Sequence, residues 1–291
     1  MDNFSTSSGL FSRNFSLNLG GRIVDLDSPL VMGVINATPD SFHEDSRLPG
    51  PSDAVKVAAR MLEEGAGILD VGGMSTRPGA GVIPEEEEVA RLSPVVEAIR
   101  NEFPDCPISV DTWRSGVAKT IHSRFRIHMV NDISAGLMDP HMFRAVAELG
   151  VACVLMHMKG TPQNMQDDPR YEHVTDEILQ FFGERVFNLR KMGVNDIVID
   201  PGFGFGKTLD QNYQLLKELS AFAVLELPVM VGISRKSMIW KLLETDPADA
   251  LNGTTSAHMA ALMGGANILR VHDVKEAVET VKIFRQISKN Y

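Results

Sequence analysis

Leu30-Val31-Met32-Gly33-Val34-Ile35-Asn36-Ala37-Thr38-Pro39 is the stretch on which the architecture turns. An apolar run of strand length, 30–35, leads straight into Asn36. An open doubly wound sheet would want G-x-G-x-x-G after an early strand, and this run continues instead as Asn36-Ala37-Thr38-Pro39. Seven further apolar runs of strand length follow, at 68–71, 108–110, 127–130, 151–156, 197–199, 229–232 and 268–271. Helical patterns separate them; Ala54, Val57, Ala58 and Met61, for example, repeat at the spacing of one helix face. Eight strands alternating with helices in 291 residues predict a closed (β/α)8 TIM barrel, an α/β fold.

Working outward, residues 15–19 and 22–26 read as a β-hairpin turned by Gly20-Gly21, expected to plug the bottom of the barrel. Residues 1–14 are expected to be disordered or loosely ordered, and 15–291 to form a single barrel domain. Pro84 suits a first helical position, and Glu85 to Glu88 fill the first turn, where the helix dipole favours anions. Pro94 lies inside the same pattern, which predicts a kink or break near Ser93. Val174, Ile178, Phe182 and Leu189 mark a long helix, and shorter patterns run at 209–219, 236–243, 251–263 and 274–287.

Composition narrows the function. Apolar residues make up 44% and charged residues 23%, as in an ordinary globular protein, which excludes a coiled coil or a collagen-like rod. Lys plus Arg number 28 against 38 Asp plus Glu, a net charge of −10 that argues against non-specific nucleic-acid binding. Two cysteines, Cys106 and Cys153, supply neither a disulfide framework nor a four-ligand zinc site. The polar, Ser-rich start has no apolar core of a secretory signal, and no run approaches a membrane span. A cytoplasmic protein without membrane or nucleic-acid partners is expected.

In such barrels chemistry sits at the C-terminal ends of the strands. Those ends carry Asn36, Asp70, Asp111, Asn131 with Asp132, His157, Asp200, Ser234 with Arg235 and Lys236, and Arg270 with His272. Asp111, Asn131 and Asp200 offer acceptors suited to a heterocycle with adjacent N–H donors, such as a 2-amino-pyrimidinone edge. Arg77, Lys236, Arg270 and His272 are donors suited to phosphate oxygens. The expected ligand is a donor-rich ring bearing an anionic, phosphorylated group. An ion pair with Asp273 is the structural alternative for Arg270 and His272. The run from Asp200 to Thr208 is glycine-rich but fails the spacing of a P-loop, so it reads as a loop whose glycines admit close approach of a ligand. Phe203 and Phe205 are the aromatics available to stack on a flat substrate, core packing being the alternative. Residues 38–51, which include Phe42 and His43, and 72–81 read as binding loops or lids.

The motifs Asn36 to Phe42, Asp70 to Gly79, Asn131 to Ile133, Met156 to Met158, Asp200 to Lys207, Ser234 to Met238 and Arg270 to Val274 together resemble the dihydropteroate synthase family, in that family's order from about residue 15 to the C-terminus. The resemblance implies a pterin-binding (β/α)8 barrel of folate biosynthesis. Such an enzyme condenses 6-hydroxymethyl-7,8-dihydropterin diphosphate with p-aminobenzoate to give 7,8-dihydropteroate and pyrophosphate. It implies Asp111, Asn131, Asp200 and Lys236 as the pterin-binding set, with Asp111, Asp200, Lys236 and Arg270 carrying catalysis. It implies Asn36 as a ligand of Mg2+, and Asn36, Arg77, Arg270 and His272 as the diphosphate grip. Phe42, Thr76, Pro78, Phe205, Lys236 and Ser237 would form the p-aminobenzoate pocket, and the protein would be a homodimer. The chain departs from the family at Met74, where Glu is usual, at Arg114, where Lys is frequent, and in the first loop after His43. Two alternatives stay open: a pterin-binding methyltransferase acting on methyltetrahydrofolate, which has no use for a diphosphate grip, and a catalytically silent pterin-binding paralogue.

Overall fold

The computed structural model describes residues 15–37, 50–75 and 81–288. Among these, a hairpin of β1 (Ser16–Leu19) and β2 (Arg22–Asp25) precedes eight parallel strands. They are β3 (Leu30–Asn36), β4 (Ile68–Gly72), β5 (Ile108–Asp111), β6 (Met129–Asp132), β7 (Ala152–Met156), β8 (Ile197–Asp200), β9 (Met230–Val231) and β10 (Ile268–Val271). Helices α1 (Pro51–Glu64), α2 (Glu85–Glu102), α3 (Ser115–Phe125), α4 (Met142–Leu149), α5 (Val174–Lys191), α6 (Leu209–Lys217), α7 (Ser237–Leu242), α8 (Leu251–Met263) and α9 (Val274–Ser288) intervene or follow.

Hydrogen bonds order the strands β8-β7-β6-β5-β4-β3-β10-β9. A parallel bridge between Ile199 and Val229, with the Ile199 N–H donating to the Pro228 carbonyl at 3.0 Å, joins the two edges and closes the barrel. The strands are buried on both faces, as parallel strands covered by helices must be. Outward residues such as Val71, Val110 and Leu155 pack with helix residues such as Met61, Leu92 and Phe182. Inward residues at the strand beginnings, Met32, Ile68, Met129, Val198, Met230 and Ile268, form a second cluster with Leu17, Leu19 and Leu26 of the hairpin. The hairpin therefore seals the N-terminal end, and the Asn18 N–H donates to Asp196 at 2.7 Å to anchor it.

The structure differs from the sequence reading in places. Strand β6 begins at Met129, two residues later than expected, and β9 shrinks to two residues because Val229 turns to bridge Ile199. Helix α2 runs unbroken through Pro94. Pro94 and Ala90, whose carbonyl loses its helical donor, both lie on the solvent face, so water can serve that carbonyl and the helix continues.

Candidate active site

The two-residue period of a strand carries the inward face from the sealed base to the mouth. Two residues beyond inward Met129, Val198 and Ile268 stand Asn131, Asp200 and Arg270; Asp111 ends β5 beside Asn131 in register. They converge with Ile133, Met156, Gly232, Lys236 and Phe205 around one pocket. Acceptors and cations predicted from five separate segments thus share a single cavity.

Arg270 spans the acidic side. Its Nε donates to Asp70 Oδ2 at 2.7 Å and its Nη2 to Asp111 Oδ2 at 2.7 Å. Asn131 Nδ2 donates to the same Asp70 oxygen at 2.9 Å. Burial pushes the Asp111 carboxyl up to about 7; Arg270 opposes the rise and Asp70 adds to it. Burial works to lower the Arg270 guanidinium, but Asp70 and Asp111 outweigh it and hold it above its ordinary value. Across the pocket burial raises the Asp200 carboxyl, against the pull of Lys236 and of the Gly202 N–H, which donates to Asp200 Oδ1 at 2.8 Å. Lys236 is lowered to about 8 by burial and Arg270, with Asp200 holding it up. Its ammonium donates to the Phe203 carbonyl at 2.6 Å and sits 4.6 Å from the centre of the Phe205 ring, a cation–π contact.

The loop after β8 supplies the aromatic wall. Gly202 has φ of +73°, and a Cβ there would collide with the His157 carbonyl oxygen, so only glycine fits. Phe203 is fully buried in the core, whereas Phe205 faces the pocket. Buried Lys207 ties the loop down, donating to the carbonyls of Gly202 at 2.8 Å and Phe205 at 3.0 Å. Its Nζ also lies 3.2 Å from His157 Nδ1. His157 stacks edge-on against Phe181 and holds this loop rather than lining the pocket; burial and Lys207 push it down to about 2.

Other expected site residues fall around the rim or leave it. Asn36 Oδ1 and Asp111 Oδ2 flank Gly72, each 3.7 Å from where a Cβ on Gly72 would stand. Exposed His272 has Nδ1 3.3 Å from Ser234 Oγ, and Ser237 opens α7 next to Lys236. Arg235 turns away from the mouth to pair with Asp273 at 2.8 and 3.0 Å, which assigns Asp273 to Arg235 and leaves Arg270 to Asp70 and Asp111. Asp132 folds its own loop, accepting from the Ser134 N–H and hydroxyl and from the Gly136 N–H. Arg114 forms a buried pair with Glu88 at 2.5 Å, apart from the pocket lining. Phe42, His43, Thr76, Arg77 and Pro78 lie outside the described residues. The sequence reading passed over Ile133, Met156 and Gly232 as lining; Met156 was detectable as the next inward position after Val154 on β7. Among the described residues no group of three or more His, Cys, Asp or Glu could hold a metal ion, and no helix is long and apolar enough to cross a membrane.

Comparison with known proteins gives consistent matches. A family model described as pterin binding enzyme matches residues 32–272. The dihydropteroate synthase of Escherichia coli (strain K12) is 44% identical over 265 residues, covering 90% of this chain and 93% of that protein. The structure of Yersinia pestis dihydropteroate synthase in a sulfonamide drug complex superposes with a TM-score of 0.89 at 41% identity, covering 95% of this chain and all of that one. Xanthomonas albilineans dihydropteroate synthase with 4-aminobenzoic acid gives a TM-score of 0.87 at 40% identity, covering 95% and 99%.

Proposed function

The chain belongs to the pterin-binding enzyme family, and from that premise we propose that it works as a dihydropteroate synthase in folate biosynthesis. It condenses 6-hydroxymethyl-7,8-dihydropterin diphosphate with p-aminobenzoate, giving 7,8-dihydropteroate and pyrophosphate. The observation that carries this reading is the convergence of Asp111, Asn131 and Asp200 with Lys236 and Arg270 on one pocket, acids and amide beside cations. The acceptors suit the N–H donors of a pterin edge, and the cations suit a diphosphate tail.

In the reaction the bond from the pterin methylene carbon to the diphosphate oxygen breaks and a bond to the arylamine nitrogen forms. Pyrophosphate leaves with the electron pair, and the amine gives up one proton. Arg270 and His272 stabilise the departing negative charge, electrostatic help placed where charge develops. Asp111 and Asp200 face the positive charge that grows on the ring, while Lys236 and Phe205 border the second substrate. Residues Thr76, Pro78, Phe42 and Ser237 complete that pocket in this reading, and Arg77 joins the diphosphate grip.

Asn36 fits a Mg2+ held mainly by diphosphate and water, because its amide offers one hard oxygen and Mg2+ keeps most of its own waters. Bound there, the ion supplies charge neutralisation to the diphosphate. The protein acts as a homodimer in the cytoplasm, with small molecules as its substrates. The decisive experiment is pyrophosphate release from dihydropterin diphosphate. Release that requires both p-aminobenzoate and Mg2+ supports the assignment; no release with both present refutes it.

A further inference from the structure

Asp70 has no place in the pocket lining, yet both residues bonded to it do. It sits on β4, fully buried, in the middle layer of the barrel interior, where its register neighbour on β3 is Val34. Packing alone would favour an apolar residue there, since a buried carboxylate is costly unless well paired. Its pairing is asymmetric: one oxygen, Oδ2, accepts from Arg270 Nε at 2.7 Å and from Asn131 Nδ2 at 2.9 Å. Arg270 and Asn131 come from β10 and β6, so one carboxylate oxygen spans the barrel between the cation and the amide.

The hydrogen bonds leave the guanidinium able to act. Arg has five N–H donors. The two bonds to Asp70 and Asp111 use one on Nε and one on Nη2, so the Nη1 pair stays directed elsewhere. Anchoring at Nε fixes the plane of the fork, because a guanidinium held along one edge can no longer rotate about its stem.

We infer that Asp70 is the positioning residue of this site: its buried carboxylate holds the Arg270 fork and the Asn131 amide in one fixed relation, so that anion grip and ring reader engage the same substrate together. This rests on the functional reading above. Asp70 does not touch substrate and acts through the two residues it holds.

A double-mutant cycle tests it. Pyrophosphate release is measured for the full-length wild type, Asp70→Asn, Arg270→Ala and the double variant. Asp70→Asn is expected to lower kcat/KM for dihydropterin diphosphate at least tenfold while shifting the KM for p-aminobenzoate less than twofold. In the Arg270→Ala background the same change is expected to cost at most threefold, the remainder being the share of Asn131, because residues acting as a unit are non-additive. Equal tenfold losses in both backgrounds, or no loss in the wild-type background, overturn the inference. A wild type that releases no pyrophosphate overturns the functional reading instead. If Asp70→Asn fails to fold, the wild type decides by NMR, with the Arg270 Nε–H signal assigned through its loss in Arg270→Lys. Slow exchange of that proton with water in the presence of inorganic pyrophosphate supports the inference; fast exchange overturns it.

Discussion

Replacing Asp200 with Asn separates the chemistry of the pocket from the stability of the barrel. One carboxylate oxygen, Oδ1, already accepts the Gly202 N–H at 2.8 Å, so the other is the one offered to a ligand. An Asn side chain must keep its single oxygen on Gly202 and then turns its NH2 into the pocket, toward Lys236 and toward the N–H donors of a pterin. The ligand loses a charge-assisted acceptor and meets a donor. Such a bond is worth about 1.5–3 kcal/mol, which at about 1.4 kcal/mol per decade is a loss of about 10- to 150-fold in pterin affinity. Turnover falls at least tenfold. Stability is set by two opposing effects. Burial raises the Asp200 carboxyl, so its folded-state pKa lies above the unfolded one; that group favours folding only below the unfolded pKa, and the contribution is lost as pH rises through the folded value. Asn removes that burial cost but also takes from buried Lys236 the carboxylate that holds its charge up, so Tm should shift little. Calorimetric titration with a pterin, paired with a thermal melt, reads both. Wild-type pterin affinity in a folded Asp200→Asn protein would refute the acceptor role.

The same site predicts a bell-shaped pH dependence for pterin binding: Asp111 gains its charge as pH rises through about 7 and Lys236 loses its charge above about 8. Titrations across pH should find the optimum between these limbs, and Asp111→Asn should abolish the acid limb. Arg270→Ala should weaken the diphosphate-bearing substrate much more than free pterin, with inorganic pyrophosphate binding falling at least tenfold by calorimetry. At the opposite end of the barrel, Leu17→Ala opens a cavity beneath the strands and should cost about 2–5 kcal/mol, seen as a lower denaturation midpoint, while pterin affinity stays at the wild-type value.

The barrel and the main pocket-facing residues were legible because two simple periods coincide. On β5, β6, β8 and β10 the largely apolar run ends in a polar inward residue, Asp111, Asn131, Asp200 or Arg270. Local chemistry decided what sequence could not. Asp132 and Arg235 stand beside site residues along the chain, but turns in the loops send one to Ser134 and Gly136 and the other to Asp273. Phe203 and Phe205 are alike in sequence, and only the path of the loop puts one in the core and one at the pocket. Asp70 reads as a strand end in the sequence, but β4 continues to Gly72, which leaves Asp70 one layer deeper than the rest. Pro94 misleads because a helix breaker is harmless where water reaches the carbonyl it orphans. The short helices α3 and α4, of 11 and 8 residues, carry too few turns for a clear pattern.

The glycine-bearing wall behind Phe205 constrains how this protein can evolve. At Gly202 and again at Gly206, where φ is +61°, any added carbon runs into a neighbouring backbone carbonyl, that of His157 or Lys159. Every amino-acid replacement at those positions inserts such a carbon, so drift cannot reshape this side of the cavity one step at a time. Variation that reshapes the cavity must therefore enter through other parts of the mouth.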